Sequence, residues 1–269
     1  MTYNPKRAAA YYDELGEKEW TRFEQPRMGA ANFGVHAHYL REFVRAGDLV
    51  LDVGAGPGRF TIELARIGAR VVVADLSPAQ LQLNREKVVE AGLDASVIDR
   101  VLADITNLSE FHDGQFDAVV CYGGPLSYVL DHADRGVSEL VRVVRPRGHV
   151  LVSVMSLAGA FSHNADIVVE LAVRDGPAKL EEIARTGLLP DEPDYGHLAM
   201  QLYHWRELRE LLSPHGEVVA ASAAGLIRPS EQPAAEEIRD LLVRLELDLG
   251  TEEGAIDDGE HILAVLRKP

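Results

Sequence analysis

Gly54, Gly56 and Gly58 occupy alternate positions directly after the apolar run Leu49 to Val53, and an acid, Asp75, closes the next apolar run, Arg70 to Ala74. Glycine adopts backbone angles closed to other residues and leaves no side chain above the chain. A ligand can therefore lie against the main chain where a helix N-terminus presents free N–H groups. A carboxylate at the end of the neighbouring strand can accept hydrogen bonds from both hydroxyls of an adenosine ribose. The chemistry of this pair is the holding of a nucleotide-like cofactor. A dinucleotide-binding turn would place a further glycine three residues after Gly56, where Arg59 stands, so a pyrophosphate is less well served. A side chain at Gly54 is expected to occupy the ligand's place.

With Asp52, the turn reads Asp-x-Gly-x-Gly-x-Gly and resembles motif I of the class I S-adenosylmethionine-dependent methyltransferases. Ala103-Asp104-Ile105 resembles the family's adenine site, Phe116 to Tyr122 its fourth strand, and Val144 to Ser153 the turn and strand that follow. The likeness runs in order from Asp48 to Val154, and His261 to Arg267 has the apolar character of a last strand. The resemblance implies S-adenosyl-L-methionine as cofactor, held by Tyr12, Asp52, Gly54, Ala55, Gly56, Arg59, Asp75, Leu76, Asp104, Ile105, Cys121 and Tyr122. Asp104 would face the exocyclic amine and Ile105 would pack on the ring. It also implies transfer of a methyl group to oxygen, nitrogen or carbon. The Asn-Pro-Pro-Tyr sequence of many nucleic-acid and protein amine methyltransferases is absent, which within that family argues for a small-molecule acceptor.

The elements that must position these residues alternate in period. Leu49 to Val53, Arg70 to Ala74, Ser96 to Leu102, Asp117 to Cys121 and Val150 to Val154 read as strands, with helices from Arg59, from Pro78 to Glu90 and from Arg135 to Val144. Ser77 and Pro78 suit a helix start, the serine capping free N–H groups and the proline losing no hydrogen bond. With Glu217 to Ala223 and His261 to Arg267, the expected fold is α/β: a Rossmann-like, doubly wound, seven-stranded, mainly parallel sheet with an antiparallel last strand.

Residues 1–47 are expected to form an N-terminal helical cap, with helices from Ala8 to about Phe23 and from Asn32 to Arg45, and residues 48–269 the methyltransferase domain. Two insertions interrupt it. The first, 155–197, is lid-like, with apolar helical segments around Ile167, Val168 and Leu171 and around Leu180, Ile183 and Leu188, split at Gly176-Pro177. The second, 225–258, carries Ile238, Leu241, Leu242, Leu245 and Leu249 as a helical stripe that is expected to be buried, on the domain's own surface or in a dimer contact.

An in-line methyl transfer from a good leaving group needs chiefly proximity and alignment, so a base is optional. The Tyr122 to Tyr128 loop, at the carboxyl end of a strand, is placed to touch the reacting end. Where a base is required, histidine is the side chain tuned most easily near neutral pH. His36, His38, His163, His197 and His204 all lie outside the central strands. His204, at a strand-to-helix junction, and Tyr12 are the candidate catalytic groups, although capping or packing would also account for His204. No carboxylate set resembles a metal-dependent catechol site, and no metal is expected. The same turn and ribose acid leave two other functions open, a nicotinamide-dependent oxidoreductase and a catalytically inactive methyltransferase-like subunit that binds the cofactor.

The 269 residues suffice for one principal domain. Against 27 Lys and Arg stand 43 Asp and Glu, and the formal charge of −16 opposes binding to nucleic acid or an anionic bilayer. No stretch reaches the ~20 apolar residues that span a bilayer, and Met1 to Arg7 lacks a signal peptide's apolar core, so a soluble cytoplasmic protein, monomeric or homodimeric, is expected. Cys121, the only cysteine, leaves no disulfide framework.

Overall fold

A computed structural model describes residues 1–22, 30–191, 197–227 and 236–269. Phe23 and the stretches 192–196 and 228–235 of the two expected insertions lie outside the described residues. The chain begins with α1 (Pro5–Leu15), α2 (Glu17–Arg22) and α3 (Ala30–Phe43). It continues as β1 (Leu49–Val53), α4 (Arg59–Ile67), β2 (Arg70–Asp75), α5 (Pro78–Glu90), β3 (Val97–Leu102), β4 (Phe116–Cys121), α6 (Pro125–Tyr128), α7 (Ala133–Val143) and β5 (Val144–Met155). The remainder comprises α8 (Leu157–His163), α9 (Ala165–Asp175), α10 (Pro177–Thr186), β6 (Leu188–Leu189), β7 (Met200–Gln201), α11 (Trp205–Leu212), β8 (Glu217–Ala224), α12 (Glu236–Gly250) and β9 (His261–Arg267).

Among the described residues, seven strands form one sheet in the order β3-β2-β1-β4-β5-β9-β8, in which β9 runs antiparallel to both neighbours. This is the doubly wound, mainly parallel arrangement expected. Strands covered on both faces need near-continuous apolar runs, and β1, β2 and β4 have them. Alternate side chains feed two cores: Leu51 and Val53 join Val137 and Leu140 of α7, whereas Val50, Val71 and Val73 join Leu40 of α3 and Leu64 of α4.

Local chemistry explains the helix starts. The Ser77 hydroxyl accepts a hydrogen bond from the Gln80 N–H with Pro78 opening α5, and Asn4 does the same for Arg7 ahead of Pro5 in α1. The single N-terminal helix expected through Phe23 is instead broken at Gly16, whose φ of 50° is left-handed, so that α2 turns away from α1. Strand β5 begins directly after α7 rather than at Val150, and takes in the Pro146-Arg147-Gly148 turn through a register shift against β4.

The insertions depart further from expectation. Gly176 and Pro177 do separate α9 from α10, but Leu188 belongs to a two-residue antiparallel ladder of β6 with β7. Leu157 and Ile183 of the insertion form a small core with Met200 and Leu202 just beyond it. In α12 the leucine stripe is not the buried face: Ile238, Leu241, Leu245 and Leu249 are 39–51% exposed. Glu246 is the fully buried residue there, accepting N–H bonds from Gly225, Leu226 and Ile227. The side of α12 that meets α3 includes Val243, which fills the space above Gly34. The stripe was misleading because a buried carboxylate with its own donors can anchor a helix face that reads as polar. No helix among the described residues is long and apolar enough to cross a membrane.

Candidate functional site

The carboxyl ends of β1, β2 and β4 open into a crevice of about 870 Å³, mouth included, roofed by residues of α1 and α2. At its floor the chain leaves β1 through Gly54 (φ 65°) and Gly56 (φ 53°) and enters α4 through Gly58 (φ 99°). A Cβ on Gly54 would stand 2.5 Å from Cγ of Pro125, whereas one on Gly56 would meet nothing within 4 Å. Gly54 is therefore required by α6 and by its own backbone angle as well as lining the crevice. Gly56 is the residue that leaves open space over the main chain.

Two buried carboxylates face this turn. Asp75 accepts the N–H of Gly56 on Oδ2 at 2.8 Å and the N–H of Ser77 on Oδ1 at 2.9 Å. Burial, opposed by these donors, pushes its pKa up to about 6. Asp52 accepts from the Thr61 hydroxyl at 2.6 Å, Thr61 accepts from Asn84, and Asn84 accepts from Arg100. Burial and, to a lesser degree, the charge of Asp75 push Asp52 up to about 7. Each carboxylate oxygen has lone pairs beyond those used here, so both acids can accept further donors.

Of the residues named from the sequence, Tyr12, Asp52, Gly54, Ala55, Gly56, Arg59, Asp75, Leu76, Ile105 and Tyr122 line the crevice together. Cys121 and Asp104 do not. Successive strand residues point to opposite faces, so Cys121 lies in one core while Tyr122 turns to the other, and burial pushes the thiol pKa up. The Asp104 carboxylate is engaged elsewhere: Oδ2 accepts from the Tyr3 hydroxyl at 3.0 Å and Oδ1 from the Thr106 N–H and hydroxyl.

The structure does not bring His204 to the crevice. It precedes the first residue of α11, its N–H held by Glu207 and its ring 3.5 Å from Asp257. The capping alternative describes its position. His36 is buried behind Tyr122, with Nδ1 2.9 Å from the Asn32 carbonyl, and burial pushes its pKa down to about 3. His38 faces Glu42, and His163 and His197 each meet a backbone carbonyl. Among the described residues no group of three His, Cys, Asp or Glu is placed to hold a metal.

Several lining residues were not foreseen, notably Tyr3, Glu19 and Gln80, whereas Pro125 and Tyr128 belong to the segment expected at the reacting end. Gln80 had a legible signal, since it is the third helical residue after a Ser-Pro start beside Asp75. Tyr3 had none, because it reaches the site through tertiary packing. The segment read as the Tyr122 to Tyr128 loop is in part the helix α6. A second hollow adjoins the crevice across Tyr3, Ala8 and Tyr128 and is bounded by Arg7, Leu130, Asp191 and Leu198, with Arg7 and Asp191 paired at 2.7 Å.

Residues 50–148 match the family described as methyltransferase domain. Over 107 residues the chain is 38% identical to a demethylmenaquinone methyltransferase of Clavibacter sepedonicus, covering 40% of this chain and 41% of that protein. Over 149 residues it is 33% identical to a demethylmenaquinone methyltransferase of Mycobacterium sp. strain KMS, covering 55% and 60%. The chain thus spans about half the length of these relatives. In fold it is like the 1,6-didemethyltoxoflavin-N1-methyltransferase of Burkholderia thailandensis, solved with 1,6-didemethyltoxoflavin and S-adenosylhomocysteine. That likeness has a TM-score of 0.58 at 19% identity over 100% of this chain and 92% of that one.

Proposed function

We propose that the chain is a class I S-adenosylmethionine-dependent methyltransferase that transfers a methyl group from S-adenosylmethionine to a small, partly apolar organic acceptor. One observation carries the reading: the positive-φ glycine turn, Asp75 and the apolar residues Leu76 and Ile105 converge on a single crevice at the carboxyl edge of the sheet. An adenosine fits this arrangement, because the space over Gly56 is open and Gln80 presents a buried acceptor without a donor. Asp75 would accept from the ribose hydroxyls, and Leu76 and Ile105 would pack on the base. When bound, the cofactor supplies an electrophilic methyl whose displacement leaves a neutral thioether.

What the protein does is hold and align. Gly123, at the end of β4, donates its N–H to Ser153 Oγ at 2.9 Å, and this fixes the backbone beside the reacting end. Tyr12 packs edge-on to Tyr128, with ring centroids 6.0 Å apart, and shields the crevice from water. The adjoining hollow bounded by Tyr128, Leu130 and Leu198 is the place for the acceptor. The relatives' names point to a quinone-type acceptor, and demethylmenaquinone is the first to try.

Calorimetric titration with S-adenosylmethionine, S-adenosylhomocysteine and NAD tests the cofactor, and methyl transfer to reduced demethylmenaquinone and a panel of small aromatic acceptors tests the rest. Binding of the first two ligands and not of NAD is expected. Binding of NAD alone would assign the crevice to hydride transfer instead.

A further inference from the structure

Gln80 is fully buried, lines the crevice and is only half satisfied. Its Nε2 donates to the carbonyl of Tyr12 at 2.9 Å and to the carbonyl of Gly16 at 3.3 Å, the two acceptors at the C-terminal end of α1. Its Oε1 has no partner. The orientation of the amide follows from chemistry, since a flipped group would set Oε1 against two carbonyl oxygens and leave Nε2 without an acceptor. An amide oxygen buried without a donor is destabilising, and a cavity-lining position is where a ligand can supply one.

The neighbours say which donor. Asp75 Oδ1 holds the Ser77 N–H, and Ser77 Oγ holds the Gln80 N–H, so Gln80 is tied by two successive bonds to the acid that the proposed function sets against the ribose. Asp104, the candidate partner of the adenine amine, is engaged at the other end by Tyr3 and Thr106. Resting on that reading of the crevice, we propose that Gln80 Oε1 accepts a hydrogen bond from one hydroxyl of the cofactor's ribose, so that a single side chain joins the cofactor to the carbonyl end of α1.

The consequence is coupling between two parts of the chain. Asp13 of α1 accepts from the Ser77 hydroxyl at 2.6 Å and from the Ala79 N–H at 3.1 Å, and Gln80 returns two bonds to α1. A ribose hydroxyl on Oε1 fixes the rotamer that holds Tyr12 and Gly16. Cofactor binding therefore tightens the roof of its own crevice, and loss of the roof weakens the cofactor in equal measure.

The test titrates S-adenosylhomocysteine and its 2′-deoxy and 3′-deoxy analogues into wild-type protein, Gln80→Met and Gln80→Leu, with thermal melts to show that each variant folds. Gln80→Met is expected to weaken S-adenosylhomocysteine by about 5- to 30-fold, the size of a lost hydrogen bond. One deoxy analogue should then bind wild-type protein and Gln80→Met with equal affinity, because the bond it lacks is the one removed. Affinity of either variant within twofold of wild type, or penalties for both analogues that simply multiply with the mutation, overturns the proposal. Absence of any binding to wild-type protein overturns the cofactor reading instead. Should neither variant fold, the side-chain carbonyl ¹³C resonance of Gln80 in unaltered protein decides: it is expected to move with S-adenosylhomocysteine and not with one deoxy analogue. Equal movement with all three ligands overturns the assignment.

Discussion

Asp52 and Asp75 share one crevice, and burial acts on both in the same direction, to about 7 and about 6. For an acid held above its unfolded value, the folded protein keeps a proton that the unfolded chain has lost. The contribution to stability is full below the unfolded value of 3.8 and is lost as pH rises through the folded value. The stability advantage of wild-type protein over Asp52→Asn should therefore shrink between about pH 4 and 7, as urea melts across that range will show. Affinity for the cationic S-adenosylmethionine should rise over about pH 6 to 8 as Asp52 ionises, and this rise should be flattened in Asp52→Asn. At Asp75 the carboxylate serves both the turn and the proposed ribose. Asp75→Asn should weaken S-adenosylhomocysteine by roughly 1.5–3 kcal/mol, the range for hydrogen bonds to a charged group. Gly54→Val should lower the melting temperature as well, because it adds both a left-handed valine and a collision with Pro125. A Gly54→Val protein with unchanged melting temperature would contradict the packing of α6 on the turn.

At the scale of elements, the interlock of α1 with the start of α5 rests on Asp13, whose one oxygen accepts from both Ser77 and Ala79. Removing it by Asp13→Ala should cost about 1 kcal/mol locally, as loss of a helix cap does, and speed hydrogen exchange of the α1 amides about fivefold. The amides of β1 and β4 should keep their protection, and an equal loss there would mean that α1 and the sheet unfold as one. The sheet and the crevice floor were legible in the sequence because central parallel strands need unbroken apolar runs, and because the turn after β1 needs glycine where φ is positive. What was not legible depends on contacts far apart in the chain. Nothing near Tyr3 announces that its hydroxyl takes Asp104, and nothing in α12 announces that Glu246 is buried there while Ile238, Leu241, Leu245 and Leu249 are exposed. The break at Gly16 was missed because a lone glycine inside a helical pattern is tolerated as often as it terminates one.

Across the whole molecule the two halves of the proposed function separate. Among the described residues, the floor and walls of the crevice come from the chain between Tyr3 and Val129, and none from Met155 onward lines it. Of the insertion's apolar residues expected to close over the ligand, Ile183 and Leu180 pack with Leu157, Met200 and Leu202 in a small core that also meets Tyr128. Its reach toward the site is through Asp191, which with Leu198 and Ala199 just past its end bounds the adjoining hollow. Replacing α9 and α10 with a short glycine-serine linker between Asn164 and Gly187 should therefore leave S-adenosylhomocysteine affinity within about threefold, since fewer than 0.7 kcal/mol of contacts is at stake. Loss of Ile183 uncovers Leu157, Met200 and Leu202, and the wall that they support should loosen. Methyl transfer to the acceptor found in the panel should fall at least tenfold, through a raised KM before a lowered kcat, because the wall binds the acceptor without touching the reacting atoms. A shortened protein that turns over with unchanged KM would place the acceptor elsewhere, and one that no longer binds S-adenosylhomocysteine would show that the insertion holds the crevice together.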